Sequence, residues 1–265
     1  MPSAAALAPL YDPTIARLPS GAPVGHELRE WFNNIADARG IRSRAHVMGE
    51  LLRAQAEATA QPPRWLSLAC GAAEPVFQVM RAVRDERLQV PRVTLADLDR
   101  GALELARTYA ERSDLSCLTT LVRANVLDLR GFGKLANVLG WRSASDWLNG
   151  FDAVDAVGLL EYLKPDDWTY TYKGVISSKR KLAGAVTFLR NAFACVRPGG
   201  MLIVGNMLDT HPQLGFTLDV VQWPHIQPRS VSAMLEIFTT AGLEGHVDVY
   251  LPSDGVYAIY AITKP

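Results

Sequence analysis

Cysteine is scarce in this chain: Cys70, Cys117 and Cys195 are the only three among 265 residues. They are too few for a disulfide framework and not spaced as a CxxC zinc pair, so no metal site is expected. An excess of charge of one sign is missing too. The 27 Lys and Arg balance 27 Asp and Glu, which removes the basic field that nucleic acid or an anionic membrane surface needs. No apolar run approaches the roughly 20 residues that span a bilayer. Residues 1–10 hold no basic residue, and Pro2 and Pro9 bracket their short apolar stretch, unlike a signal peptide. The expectation is a soluble, cytoplasmic protein without nucleic-acid or membrane partners, with chain enough for one large domain or two small ones.

Chain breakers crowd the beginning. Pro9, Pro13, Pro19, Pro23, Gly21 and Gly25 are too dense for regular structure and read as an arm. From 26 to 60 the pattern turns helical, with Leu28, Trp31, Phe32 and Ile35, then Val47, Leu51 and Leu52, at helical spacing and Gly40 as an interruption. Pro62 and Pro63 end this unit.

Short apolar strands then alternate with amphipathic stretches. Strands are expected at 65–69, 93–97, 119–123, 153–160 and 201–206, and helices near 75–87, 100–112, 132–148 and 179–196. Such alternation implies a mostly parallel sheet covered on both faces. The end departs from that rhythm: a helix at 231–241, a strand at 246–251, the turn Pro252-Ser253-Asp254-Gly255 and a last strand at 257–263. Two strands joined by a tight turn pair antiparallel. The fold class is therefore α/β, a parallel sheet closed by one C-terminal hairpin.

Four segments in this order resemble the class I S-adenosylmethionine (SAM)-dependent methyltransferases. Trp65-Leu66-Ser67-Leu68-Ala69-Cys70-Gly71-Ala72-Ala73 is similar to the first glycine-rich loop of that family, with two glycines replaced by alanine and Ser67 where an acid is common. Val93-Thr94-Leu95-Ala96-Asp97-Leu98-Asp99 resembles its second strand with the terminal acid. Val122-Arg123-Ala124-Asn125-Val126 resembles the segment beside adenine. Phe151-Asp152-Ala153-Val154 through Gly158-Leu159-Leu160-Glu161-Tyr162-Leu163 resembles the fourth strand, and Arg197-Pro198-Gly199-Gly200 the turn before the fifth.

The resemblance covers 64–265. It implies a Rossmann-like seven-stranded sheet, a SAM-binding methyltransferase domain at 63–265, and an arm and helical cap at 1–62. It also implies SAM as cofactor and S-adenosylhomocysteine as product. A nicotinamide-dependent dehydrogenase is the rival for such a sheet, but its GxGxxG loop needs three glycines and only Gly71 is present.

Small residues at Ala69, Gly71, Ala72 and Ala73 let a ligand approach the backbone and the following helix N-terminus. Asp97, at a strand's carboxyl end, can accept both ribose hydroxyl protons. Asp99 suits a helix N-cap. The resemblance implies cofactor contacts from Ala69, Cys70, Gly71, Asp97, Leu98, Asp99, Asn125, Val126, Gly158 and Leu159.

The acceptor side offers Glu161 and Tyr162 after the fourth strand, and His211 and His225 as bases titrating near neutrality. Asn206, Trp223, Arg229, Tyr170 and Tyr172 are candidates for binding a small-molecule substrate. Arg42 and Arg44 suit an exposed helical face, the alternative being that they face the cofactor carboxylate or an acidic acceptor. The loop form with Asn206 and Trp223…Arg229 is also similar to bacterial enzymes that esterify hydroxy fatty acids. That implies O-methylation of a small molecule of secondary metabolism. The alternatives are a SAM-binding protein with a regulatory role, and methylation of RNA or protein.

Overall fold

A computed structural model describes residues 4–17, 21–127, 148–172, 178–223, 225–243 and 245–265, with the backbone alone at 4–6, 8, 170–172 and 178–180. The helix expected at 132–148 lies almost wholly outside the described residues. Three helices open the chain: α1 (Ala4–Tyr11), α2 (His26–Asn34) and α3 (Ala36–Glu57). The expected arm without regular structure is thus partly wrong. Pro9 sits inside α1, where Leu10 is buried in the same cluster as Ile41 and Met48 of α3. Tertiary packing overrides a weak local propensity there.

Gly40 does not interrupt the helical stretch either. The break falls at Ile35, whose extended backbone caps α2 and starts α3. Gly40 stands mid-helix at a position where a Cβ would overlap Val256.

The sheet holds seven strands: β1 (Arg64–Leu68), β2 (Arg92–Asp97), β3 (Thr119–Arg123), β4 (Phe151–Ala156), β7 (Val196–Met207), β8 (His246–Tyr250) and β9 (Tyr257–Thr263), in the order β3-β2-β1-β4-β7-β9-β8. The pairs from β3 through β7 are parallel. The last two pairs, β7 with β9 and β9 with β8, are antiparallel, so the C-terminal hairpin closes the sheet as expected. β7 begins five residues earlier than expected, because Val196 pairs with Phe151 and Gly199 and Gly200 bond the backbone of Lys264.

Alternate residues of each strand face opposite ways. Trp65 joins the cluster with α3, α4 (Glu74–Asp85) and α5 (Arg100–Arg112), where Ile41, Met48, Phe77 and Met80 lie. Leu66 and Leu68 face the other side, packed with α6 (Ala185–Cys195) and α8 (Val231–Ala241) through Phe188, Leu189, Met234 and Phe238. Ser230 caps α8 by accepting from the Ala233 N–H at 3.1 Å, and Gly242 ends it at φ 69°.

The stretch expected as one helix over 179–196 divides in two. β5 (Trp168–Tyr172) and β6 (Ser178–Leu182) form a separate antiparallel pair, and only then does α6 begin. The short helix α7 (Leu214–Asp219) follows β7. No helix among the described residues is long and apolar enough to cross a membrane.

Candidate functional site

From β1 the chain proceeds outward through β2 to β3, then returns to the other side of β1 with β4. Strand order therefore reverses between β1 and β4, and open α/β sheets bind ligands outside the carboxyl ends at such a reversal. A crevice lies there. Its larger chamber, about 380 Å³, is lined by Asp97, Leu98, Asp99, Asn125 and Val126 among others. A smaller chamber of about 100 Å³ takes in Arg44, Ser67, Cys70, Asp155, Glu161 and Trp223. Leu7, Ala69, Gly71, Gly158 and Tyr162 line both.

The larger chamber is built mostly from backbone turns. Between β1 and α4 the chain takes left-handed conformations at Ala69 (φ 51°), Gly71 (φ 56°) and Ala73 (φ 54°). At the two alanines this costs on the order of 1–2 kcal/mol each. Asp97 holds the bend in place. Its Oδ2 accepts from the Gly71 N–H and its Oδ1 from the Asp99 N–H, both at 2.8 Å. A carboxylate offers about four acceptor positions, so about two remain for a ligand.

Asp99 caps α5 by accepting from the Gly101 N–H at 2.8 Å. Asn125 Oδ1 accepts from the Leu127 N–H at 3.0 Å, a local turn bond that seats the residue on the chamber wall.

The smaller chamber is built from side chains carried by distant elements. Arg44 comes from the middle of α3, Ser67 from β1 and Asp155 from β4, while Glu161 and Tyr162 sit on the 3-10 turn Leu160–Tyr162. Ser67 and Asp155 are neighbours across the β1–β4 pairing, and the Ser67 hydroxyl donates to Asp155 Oδ1 at 2.9 Å. Burial pushes the Asp155 carboxyl up to about 7, against the opposing pull of that bond. Burial likewise lifts Glu161 to about 7, although Arg44 lies beside it. Burial, with Glu161 adjoining, raises the Tyr162 hydroxyl and keeps it a neutral phenol.

Three residues expected to touch substrate stand around that turn. Arg229 Nη1 donates to the Leu160 carbonyl at 3.0 Å and to Asn206 Oδ1 at 2.8 Å, and its Nη2 donates to the Leu163 carbonyl. Asn206 is wholly buried in β7, and its amide donates to the Met207 and Gln227 carbonyls. Arg229 and Asn206 line neither chamber; they brace the turn from behind. Trp223 does line the smaller chamber, with its indole N–H donating to Tyr162 Oη.

The histidines are elsewhere. His225 is exposed, at φ 58°. His211 is buried, with Nδ1 accepting from the Gln213 N–H at 2.8 Å and Nε2 3.4 Å from Asp37 Oδ1. It ties the start of α3 to α7 and borders an open depression sharing no lining residue with the crevice. Tyr170 and Tyr172 lie on β5, and their side chains are outside the described residues.

Arg44 is the main surprise. An exposed face is one expectation for it, yet it is 3% exposed. A signal was present: Arg44 falls three residues after Ile41 and four before Met48, on the apolar stripe of its helix. Asp155 has a similar signature, a carboxylate inside a strand buried at every position, although Asp152 of the same strand shares it. Arg42 stands off that stripe and donates to the Leu10 and Asn33 carbonyls at 3.1 and 2.6 Å.

No protein-family model and no curated protein matches the chain. Solved structures do. A possible exported protein from Bordetella parapertussis is 16% identical over 100% of this chain and 80% of that one, with a TM-score of 0.69. An O-methyltransferase family protein from Burkholderia thailandensis is 19% identical over 90% of this chain at a TM-score of 0.56, and the chain spans 60% of its length. The 1,6-didemethyltoxoflavin-N1-methyltransferase of the same organism, solved with 1,6-didemethyltoxoflavin and S-adenosylhomocysteine, is 17% identical over 90% of this chain and 83% of that one, at 0.50. At such identities the likeness is one of fold: the chain has the fold of the class I SAM-dependent methyltransferases.

Proposed function

We propose that this protein is a SAM-dependent methyltransferase acting on a small-molecule acceptor, with oxygen favoured as the acceptor atom. The observation that carries the reading is Asp97 at the mouth of a crevice at the strand reversal, tethering a bend of three left-handed residues. The cradle suits an adenosyl group. Ala69 and Gly71 keep its floor low, Asp97 has acceptor capacity to spare for ribose hydroxyls, and Asn125 and Val126 stand where a base would lie.

SAM, when bound, supplies a methyl group on a sulfonium, electrophilic without further activation. The chain's own residues then align an acceptor in line, an effect that can be worth about 7–11 kcal/mol of barrier. Gly158 lines both chambers and Leu159 the larger one. Of the four candidates for moving a proton, Glu161 and Tyr162 line the crevice and His211 and His225 do not. The helices over 4–57 act as the acceptor-side cap, since Leu7, Tyr11, Arg44 and Met48 all line the smaller chamber.

The expected result is saturable binding of S-adenosylhomocysteine by calorimetry, and SAM-dependent release of that product with at least one member of an acceptor panel. Absence of any binding to the folded protein would end this reading.

A further inference from the structure

Two arginines are buried near the 3-10 turn, and they are used differently. The Arg229 guanidinium donates to three oxygens, those of Leu160, Asn206 and Leu163. Arg44 stacks on the Tyr257 ring at 4.4 Å and donates from Nη2 to Tyr11 Oη at 3.3 Å. Its Nε and Nη1 find no hydrogen-bond partner among the described residues, and neither does Glu161 Oε2. Nη1 stands 3.5 Å from Glu161 Oε1, with the two side chains 4% and 2% exposed. Buried donors and acceptors without partners are costly, and natural folds rarely keep them without a use. Both residues line the smaller chamber. Room before the guanidinium depends on residue 158 having no side chain, since a Cβ there would come within 3.3 Å of Arg44 Nη2.

We propose that Arg44 and Glu161 form a receptor for a small carboxylate in the smaller chamber, Arg44 donating from Nη1 and protonated Glu161 from its O–H. The chemistry has two possible sources, the amino-acid end of the methyl donor or an acidic acceptor, and the first of these rests on the methyltransferase reading above. A second carboxylate entering beside Glu161 drives a proton onto it. The groups facing Glu161 are Arg44 and Asp37 from α3, Tyr11 from α1, Tyr257 from β9 and the adjacent Tyr162, with Asp155 of β4 on the same chamber. Arg44 is the cation among them. Burial already brings the Glu161 carboxyl to about 7, so that proton is available near neutrality.

The test is calorimetric titration of the full chain and its R44K, R44M and E161Q variants with S-adenosylhomocysteine, 5′-methylthioadenosine and octanoate, at pH 6 and pH 8. Near-UV circular dichroism checks folding. If R44M does not fold, R44K keeps the charge and loses the planar fork. A drop of about tenfold or more for S-adenosylhomocysteine, with methylthioadenosine unchanged, assigns the receptor to the donor's carboxylate. Unchanged affinity for both adenosyl ligands, with Arg44-dependent octanoate binding lost, assigns it to the acceptor. In either case wild-type affinity falls from pH 6 to pH 8 and E161Q flattens that dependence.

Equal affinities in wild type and folded Arg44 variants for all three ligands would overturn the proposal. So would parallel losses for both adenosyl ligands, or a pH dependence that persists in E161Q. Failure of wild type to bind either adenosyl ligand would refute the methyltransferase reading instead, leaving octanoate to decide on the receptor.

Discussion

The two chambers of the crevice are made by different means. In the larger one, short stretches of backbone do the shaping: a bend at 69–73, the turn at Asp97–Asp99 and the turn at Asn125–Leu127, each stabilised within a few residues or across adjacent strands. In the smaller one, charged and phenolic side chains converge from α1, α3, β4, β9 and the 3-10 turn, with 117 residues separating Arg44 from Glu161. A site made of turns tolerates changes of side chain away from its few acids. A site made of buried charges depends on every partner, since removing one leaves another unpaired in a low-dielectric interior.

That contrast can be broken in four places. The largest effect is expected from Arg229→Met, which strands the oxygens of Leu160, Leu163 and Asn206. A loss of about 3 kcal/mol or more in unfolding free energy is expected by urea denaturation. A loss under 1 kcal/mol would mean the turn stands without its brace.

Asp97→Ala comes next. It removes the acceptor of two backbone N–H groups and the one proposed for the ribose, so affinity for S-adenosylhomocysteine should fall by about 1–3 kcal/mol. Unchanged affinity in a calorimeter would remove Asp97 from the site.

A further effect is a pH dependence. The folded Glu161 carboxyl titrates near 7, whereas an unfolded glutamate titrates near 4.3. Below the unfolded value both states are protonated and nothing is lost. Between roughly 4.3 and 7 the unfolded state sheds its proton first, so Glu161 lowers stability as pH rises, by up to about 1.4 kcal/mol per pH unit. Above about 7 the loss is constant. Stability curves of wild type and Glu161→Gln should therefore diverge across that window and run parallel above it. Curves parallel throughout would show that Glu161 ionises normally.

The smallest effect separates the histidines. His225→Ala on the exposed turn should change stability by less than about 0.5 kcal/mol. His211→Ala should destabilise by about 1–2 kcal/mol, because the Gln213 N–H loses its acceptor. Neither should alter binding of S-adenosylhomocysteine; a loss in the His211 variant would place it functionally inside the crevice.

The sheet was largely legible before the structure. The strand at 119–123, the helices at 100–112 and 231–241, and the closing hairpin fall where periodicity and turn residues put them, because each is a local pattern with local punctuation. Misreadings occurred where packing outvoted local signals. Gly40 reads as a breaker, yet it permits the close approach of α3 to Val256, and Pro9 rides in a helix held by its burial. The 179–196 stretch has a helical composition, yet its first part pairs with β5 in a second sheet.

On the acceptor side, Asn206 and Arg229 were recognisable as unusual residues without being recognisable as braces. Arg229 reaches the carbonyls of Leu160 and Leu163, on a turn more than 60 residues earlier in the chain, and Asn206 holds Arg229 there.

Composition, strand–helix alternation and the spacing of Gly71, Asp97 and Asn125 sufficed for the fold class and for the larger chamber, since turns and strand ends are written in neighbouring residues. Which charges meet in the smaller chamber was settled only by the tertiary structure. Whether Arg44 faces water or Glu161 depends on how α3 is rotated against β9 and the 3-10 turn, and that rotation follows from the packing of Ile41, Gly40 and Met48 against residues far away in the chain.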